Sequence, residues 1–121
     1  MWLATKYGFY SVVCAHGVHG EPSTTLMMIR ARKHAHLAAL KRFHPELGKI
    51  KKSVGTDYPY RIIARRDVVL LVVARLAADI EYKNFKNAAH DEAPGDGAYG
   101  RFLYEVWSRG LQLTPLRVRR R

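Results

Sequence analysis

Seven residues, His16 to Pro22 (HGVHGEP), separate two apolar runs at the start of the chain, and they most constrain what it can fold into. The run before them, Trp2 to Ala15 (WLATKYGFYSVVCA), is rich in the aromatic and β-branched residues that suit a pleated, half-buried surface. The run after them, Thr24 to Arg30 (TTLMMIR), is short, apolar and of strand length. Two glycines and a proline in between mark a turn, which brings the second run back antiparallel to the first. The chain therefore begins with a hairpin, and later segments have to cover it.

From Arg32 the period changes. Leu37, Leu40, Phe43 and Leu47 recur at helical spacing, with Lys33, Lys41 and Arg42 between them and Pro45 near the end, so a helix is expected over 33–43. Residues 48–57 are polar, basic and glycine-bracketed and read as a loop. YPYRIIAR then supplies a third strand over 60–65, with Pro59 at its beginning or on an edge. In DVVLLVVARLAADI the length favours a helix over a buried strand. Asp67 is its expected cap, and Val69, Val72, Val73, Leu76 and Ile80 form one apolar face. Residues 81–92 fit a short strand or a helix equally well.

After the APGDG break, Tyr99, Phe102, Leu103, Val106 and Trp107 fall at i, i+3, i+4, i+7 and i+8, with Gly110 as a stop, which predicts a last helix. The expected fold is α+β: an antiparallel sheet of three to four strands with two to three helices, a ferredoxin-like variant in ββαβα order plus a C-terminal helix. With 48% apolar residues in a chain of 121, one core can form, so a single domain over 1–113 and a basic tail over 114–121 are expected.

Several chemistries find no footing. Cys14 is the single cysteine, which excludes an internal disulfide framework and reads as an inert, packed thiol. His16 and His19 share a loop. His34 and His36 lie two apart on a helix, where side chains do not face each other, and no acid or thiol completes a metal spacing. These are read as surface or structural histidines, with no metal and no cofactor expected. Neither a GxGxxG nor a Walker A pattern occurs, and no catalytic residue is assigned. No apolar run approaches the roughly 20 residues of a membrane span, and the N-terminus lacks a signal-peptide pattern. The reading is a soluble, cytoplasmic protein without a membrane partner.

Charge carries the functional expectation. The formal net charge is +11, and it is unevenly spread. Eight Lys or Arg lie between Arg30 and Lys52 against one acid, Glu46, whereas Asp67 to Glu105 holds seven acids against four bases. The candidate nucleic-acid-binding residues are Arg30, Arg32, Lys33, Lys41, Arg42, Lys49, Lys51 and Lys52. Arg61, Arg65, Arg66 and the tail residues Arg117, Arg119, Arg120 and Arg121 complete the set. The expectation is a non-enzymatic protein that engages nucleic acid, or a nucleoprotein, through a basic surface, with no base-specific readout indicated. Two other classes stay open. One is a protein-interaction module or homodimeric regulatory or inhibitor protein that uses exposed aromatics. The other is a small basic ribonuclease, which needs only a histidine or two beside cations.

Two resemblances bear on this. Tyr7-Gly8-Phe9 resembles the centre of the aromatic octamer with which RRM domains stack on RNA, which makes Tyr7 and Phe9 candidate stacking residues. Thr5 stands where that octamer begins with a basic residue, Lys6 where a glycine follows, and Val12 where an aromatic closes it. The stretch also opens the chain instead of lying on a third strand, so packing is the favoured role. Read as one strand, it is apolar on both faces and is expected to be covered on both sides. Over a longer span, MWLATKYGFYSVVCA, TDYPYRIIARRDV, NFKNAA and LYEVW together resemble an uncharacterised family of small bacterial proteins that begin Met-Trp-Leu-x-Thr-Lys-Tyr-Gly-Phe. That resemblance implies a bacterial, cytoplasmic origin and carries over no site residue.

Overall fold

The Thr5 hydroxyl turns the first apolar run back on itself. Its Oγ1 accepts the amide N–H groups of Tyr7 (3.1 Å) and Gly8 (3.2 Å) and donates to the Gly8 carbonyl (2.9 Å). In the computed structural model, which describes residues 1–115, the expected single strand is therefore two, β1 (Trp2–Thr5) and β2 (Gly8–His16). A local side-chain bond competes with the extended backbone here and wins. The pair is antiparallel with Trp2 opposite Ser11 and Ala4 opposite Phe9. Met1 extends the ladder, its ammonium donating to the Val12 carbonyl at 2.9 Å.

The hairpin expected around HGVHGEP leads into β3 (Pro22–Ala31), paired antiparallel with β2. There follow α1 (His34–Phe43), β4 (Lys51–Lys52), β5 (Tyr60–Arg65) and α2 (Arg66–Ala78). The described chain ends in α3 (Phe85–Glu92), α4 (Gly97–Gly110) and a 3-10 turn, Leu111–Leu113. The sheet order is β1-β2-β3-β5-β4, with every neighbouring pair antiparallel.

The fold is α+β, as expected, but the described residues hold five strands and four helices. The ferredoxin-like order is not confirmed, since three consecutive antiparallel strands precede the first helix. Lys51 and Lys52, expected in a loop, pair with Arg61 and Tyr60 as a two-residue edge strand, too short to show a period. Residues 81–92 resolve towards helix because the Asn84 side chain caps α3 by accepting the Asn87 N–H. Asp67 is not the cap of α2. Arg65 occupies that position, and Asp67 lies in the first turn, favourable towards the helix dipole and paired with Arg65.

One face of the sheet is covered by α1 and α2. Tyr10, Val12, Ile29 and Ile62 point into that layer and meet Leu37 and Leu40 of α1 and Val69 and Val72 of α2, all buried. Each fully buried aliphatic side chain of this kind contributes roughly 1.5–3 kcal/mol. Val73 and Leu76 flank the core as expected, whereas Ile80 lies beyond the helix and is exposed. A second cluster joins Ala89 of α3 to Tyr99 and Leu103 of α4, with Phe9 and Phe85 against it. The Tyr99 hydroxyl, kept protonated by burial, donates to the Thr5 carbonyl at 2.6 Å and ties α4 to the β1–β2 turn. Among the described residues no helix packs across the β3, β5 and β4 part of the second sheet face. Among the described residues no helix is long and apolar enough to cross a membrane.

Candidate nucleic-acid interface

Strand alternation decides which side chains reach the open face. Register places Ser11 opposite Arg30, Arg30 opposite Arg61 and Arg61 opposite Lys51, so one row crosses β2, β3, β5 and β4 on that face. The next row is apolar, with Val13, Met28 and Ile63 in line, and Leu26 and Arg65 pair beyond it. The Arg30 Nη2 donates to the Ser11 hydroxyl at 2.8 Å, while its Nε is buried and meets no acceptor among the described residues. Arg61 donates through Nε to the Tyr58 carbonyl at 3.2 Å and lies over the Met28 sulfur.

Tyr58 organises this cationic strip. It is buried, and the guanidinium groups of Arg30 and Arg32 lie over its ring at 4.7 and 5.0 Å from the centroid. The quadrupole of the ring favours both cations there. Among the described residues, none of Arg30, Arg32, Arg61 and Lys51 has a carboxylate within ion-pairing distance. Arg65, by contrast, is held bidentately by Asp67 at 3.1 and 2.7 Å.

The other candidate cations are elsewhere. Lys41 and Arg42 sit in the last turn of α1, on the helix-covered side. Lys52 also faces that side, over the ring of Tyr60. Arg66 is engaged internally, its Nε donating to the Thr24 carbonyl at 3.0 Å and its Nη2 approaching the Cys14 sulfur at 3.5 Å. Lys49 is exposed before β4. Arg117, Arg119, Arg120 and Arg121 lie outside the described residues.

Tyr7 and Phe9 do not form one platform. The turn at Lys6 and Tyr7 breaks the alternation that would align them. The Tyr7 ring packs on Phe43 of α1 at 5.0 Å, and its hydroxyl donates to Asp79 at 3.2 Å. Phe9 turns to the opposite face, 4.8 Å from Phe102 of α4 and 6.2 Å from Trp2. Trp2 shares the face of Phe9, because the hairpin sets Ala4 opposite Phe9 and Trp2 opposite Ser11.

Beside this face, three polar side chains converge where α1 meets α4. Asp96 caps α4 by accepting the Tyr99 N–H at 3.1 Å, and its two oxygens also take Lys33 Nζ at 2.6 Å and His36 Nε2 at 3.0 Å. Burial works against the Asp96 carboxylate, but these three hydrogen bonds and the Lys33 charge outweigh it and hold its pKa below the ordinary value. His36 is buried, and desolvation lowers its pKa despite Asp96. Its Nδ1 accepts the Phe9 amide N–H at 3.3 Å, which fixes the proton on Nε2, facing Asp96. With both ring nitrogens committed, His36 has no lone pair for a substrate proton. The arrangement fastens helices together and is not a general base. Among the described residues no three metal-binding side chains converge.

A cavity of about 600 Å³ opens between the β1–β2 end of the open face and α4. Trp2, Phe9, Phe102 and Val106 supply its apolar walls, and Arg32 and Lys33 edge it. No periodicity announces this cavity, because its walls come from strands one and two and the last helix; the exposed aromatic positions of α4 were the one usable signal. No family model, no curated protein and no solved structure matches the chain.

Proposed function

We propose that the protein is a non-enzymatic nucleic-acid-binding protein that uses the open face of its sheet. The observation that supports this most is the row Arg30, Arg61 and Lys51, three cations on adjacent strands without a carboxylate partner among the described residues. Like charges directly opposite one another destabilise a sheet. A phosphate chain laid across the row removes that repulsion and releases its own counterions. Arg32 continues the strip beside Tyr58, and the net charge of +11 steers a polyanion towards it.

Anisotropy of a dye-labelled single-stranded oligonucleotide at low salt tests the reading. Arg30→Glu with Arg61→Glu is expected to weaken binding by about tenfold or more, while Lys41→Glu with Arg42→Glu, the same charge change on α1, leaves it within about threefold. Equal losses from both pairs would mean that bulk charge, not this face, binds. Undetectable binding by the unaltered protein would end the proposal.

A second reading has its own support. Tyr104 and Trp107 are exposed one turn apart on α4, Trp107 by 54%, and such a pair suits a protein partner or a second copy of the chain. Light scattering decides for the homodimer: a dimer that dissociates with Trp107→Glu favours it, and a strict monomer across micromolar concentrations removes it.

A further inference from the structure

The cavity beside the open face has the size and chemistry of a seat for one flat heterocycle joined to a phosphate. Its volume of about 600 Å³ lies within the ~300–1,000 Å³ typical of small-ligand clefts. Five aromatic side chains line it, Trp2, Phe9, Tyr58, Tyr99 and Phe102; Phe9 and Phe102 are tilted at 60° to each other, and Trp2 is 73% exposed. Solvent-exposed aromatic faces offer stacking surface to any base.

Its rim is cationic. Arg32 and Lys33 edge it, and Arg32 has no carboxylate within ion-pairing distance among the described residues. Because Arg32 and Arg30 share the ring of Tyr58, that rim is continuous with the row formed by Arg30, Arg61 and Lys51. An aromatic pocket that opens directly onto a phosphate path is complementary to a strand whose base can leave the stack.

We infer that this cavity takes one unstacked base of a single-stranded nucleic acid, with the flanking phosphates on Arg32 and the Arg30 row. The inference rests on the open-face reading above and adds strandedness to it. A paired base enters such a pocket only after unpairing and unstacking, so duplex is disfavoured. Stacking is tolerant of base identity, so the seat selects single strands without selecting a sequence.

The test uses two single-stranded ligands of equal length and charge, oligothymidylate and a strand built wholly of abasic residues. The unaltered protein is expected to bind the base-bearing strand about tenfold more tightly, the scale of one good base–aromatic stack. Ala98→Trp fills the cavity from an exposed position in the first turn of α4 and is expected to abolish that preference while leaving the abasic affinity unchanged. Phe102→Ala, which removes a wall, gives the same result by a different route, and circular dichroism verifies that both variants fold. Equal binding of the two strands by the unaltered protein overturns the cavity assignment while the open-face reading stands. A preference that survives both substitutions also overturns it. If neither strand binds, the open-face reading itself has failed.

Discussion

His36 Nε2 lies 3.0 Å from Asp96 Oδ2, a contact between residues 60 apart in sequence that fastens the first helix to the N-cap of the last. Three elements depend on it. The same imidazole receives the Phe9 amide at the start of β2, so α1, α4 and the first hairpin share one polar joint. Asp96 is the member that Lys33, His36 and the Tyr99 amide all face.

Removing that carboxylate should therefore be costly. Asp96→Ala loses the cap of α4, worth about 1 kcal/mol, and strands the buried His36 donor, worth about 1–3 kcal/mol more. A loss of about 2–4 kcal/mol in urea unfolding is expected. Asp96→Asn keeps the capping oxygen but turns its amide NH2 towards the His36 Nε2–H, so it should still lose about 1–3 kcal/mol, with only the cap retained. A loss equal to that of Asp96→Ala would show that the cap contributes nothing, and a negligible loss would contradict the hydrogen bond to His36.

The joint should weaken in acid in two stages. Burial, partly offset by Asp96, sets the folded His36 below its ordinary value of 6.5, so the unfolded chain takes up its proton first as pH falls. Stability from neutral His36 is complete above about pH 6.5 and is lost as pH falls from there towards the lowered folded value. Asp96, also lowered, adds its loss only below the ordinary carboxylate value of 3.8. Urea midpoints measured from about pH 7 to about pH 5 should decline in the natural sequence and flatten in His36→Gln. Parallel curves would remove His36 as the titrating group.

Two glycines should respond oppositely to alanine. A Cβ on Gly8 would fall inside the imidazole of His36, so Gly8→Ala is expected to destabilise by about 2 kcal/mol or more. Gly100 lies within α4 with open space around it, and Gly100→Ala is expected to stabilise by up to about 1 kcal/mol. Thermal unfolding of the two variants measures both signs, and a neutral Gly8→Ala would contradict the close approach.

Much of this fold was legible from local pattern. The spacing of Leu37 and Leu40, the Tyr99 to Trp107 stripe and the HGVHGEP turn each act within a few residues, where periodicity and turn chemistry speak directly. The misses involved other forces. Thr5 broke a strand-like run through one hydroxyl, and Lys51 and Lys52 became a strand only because β5 lay beside them. Of the candidate cations, chain position could not separate Arg30 and Arg61 from Arg66 or Lys52, since which face a side chain reaches depends on register. The joint of His36, Asp96 and Lys33 and the cavity beside it bring together segments far apart in the chain, and no spacing rule connects them.

The salt dependence of oligonucleotide binding tests the central claim most directly. If phosphates lie on Arg30, Arg61 and Lys51, replacing all three by Gln should lower the slope of log affinity against log salt by about 2, at ~0.7 per single-strand phosphate contact. An unchanged slope in that triple variant would contradict the open face as the phosphate path.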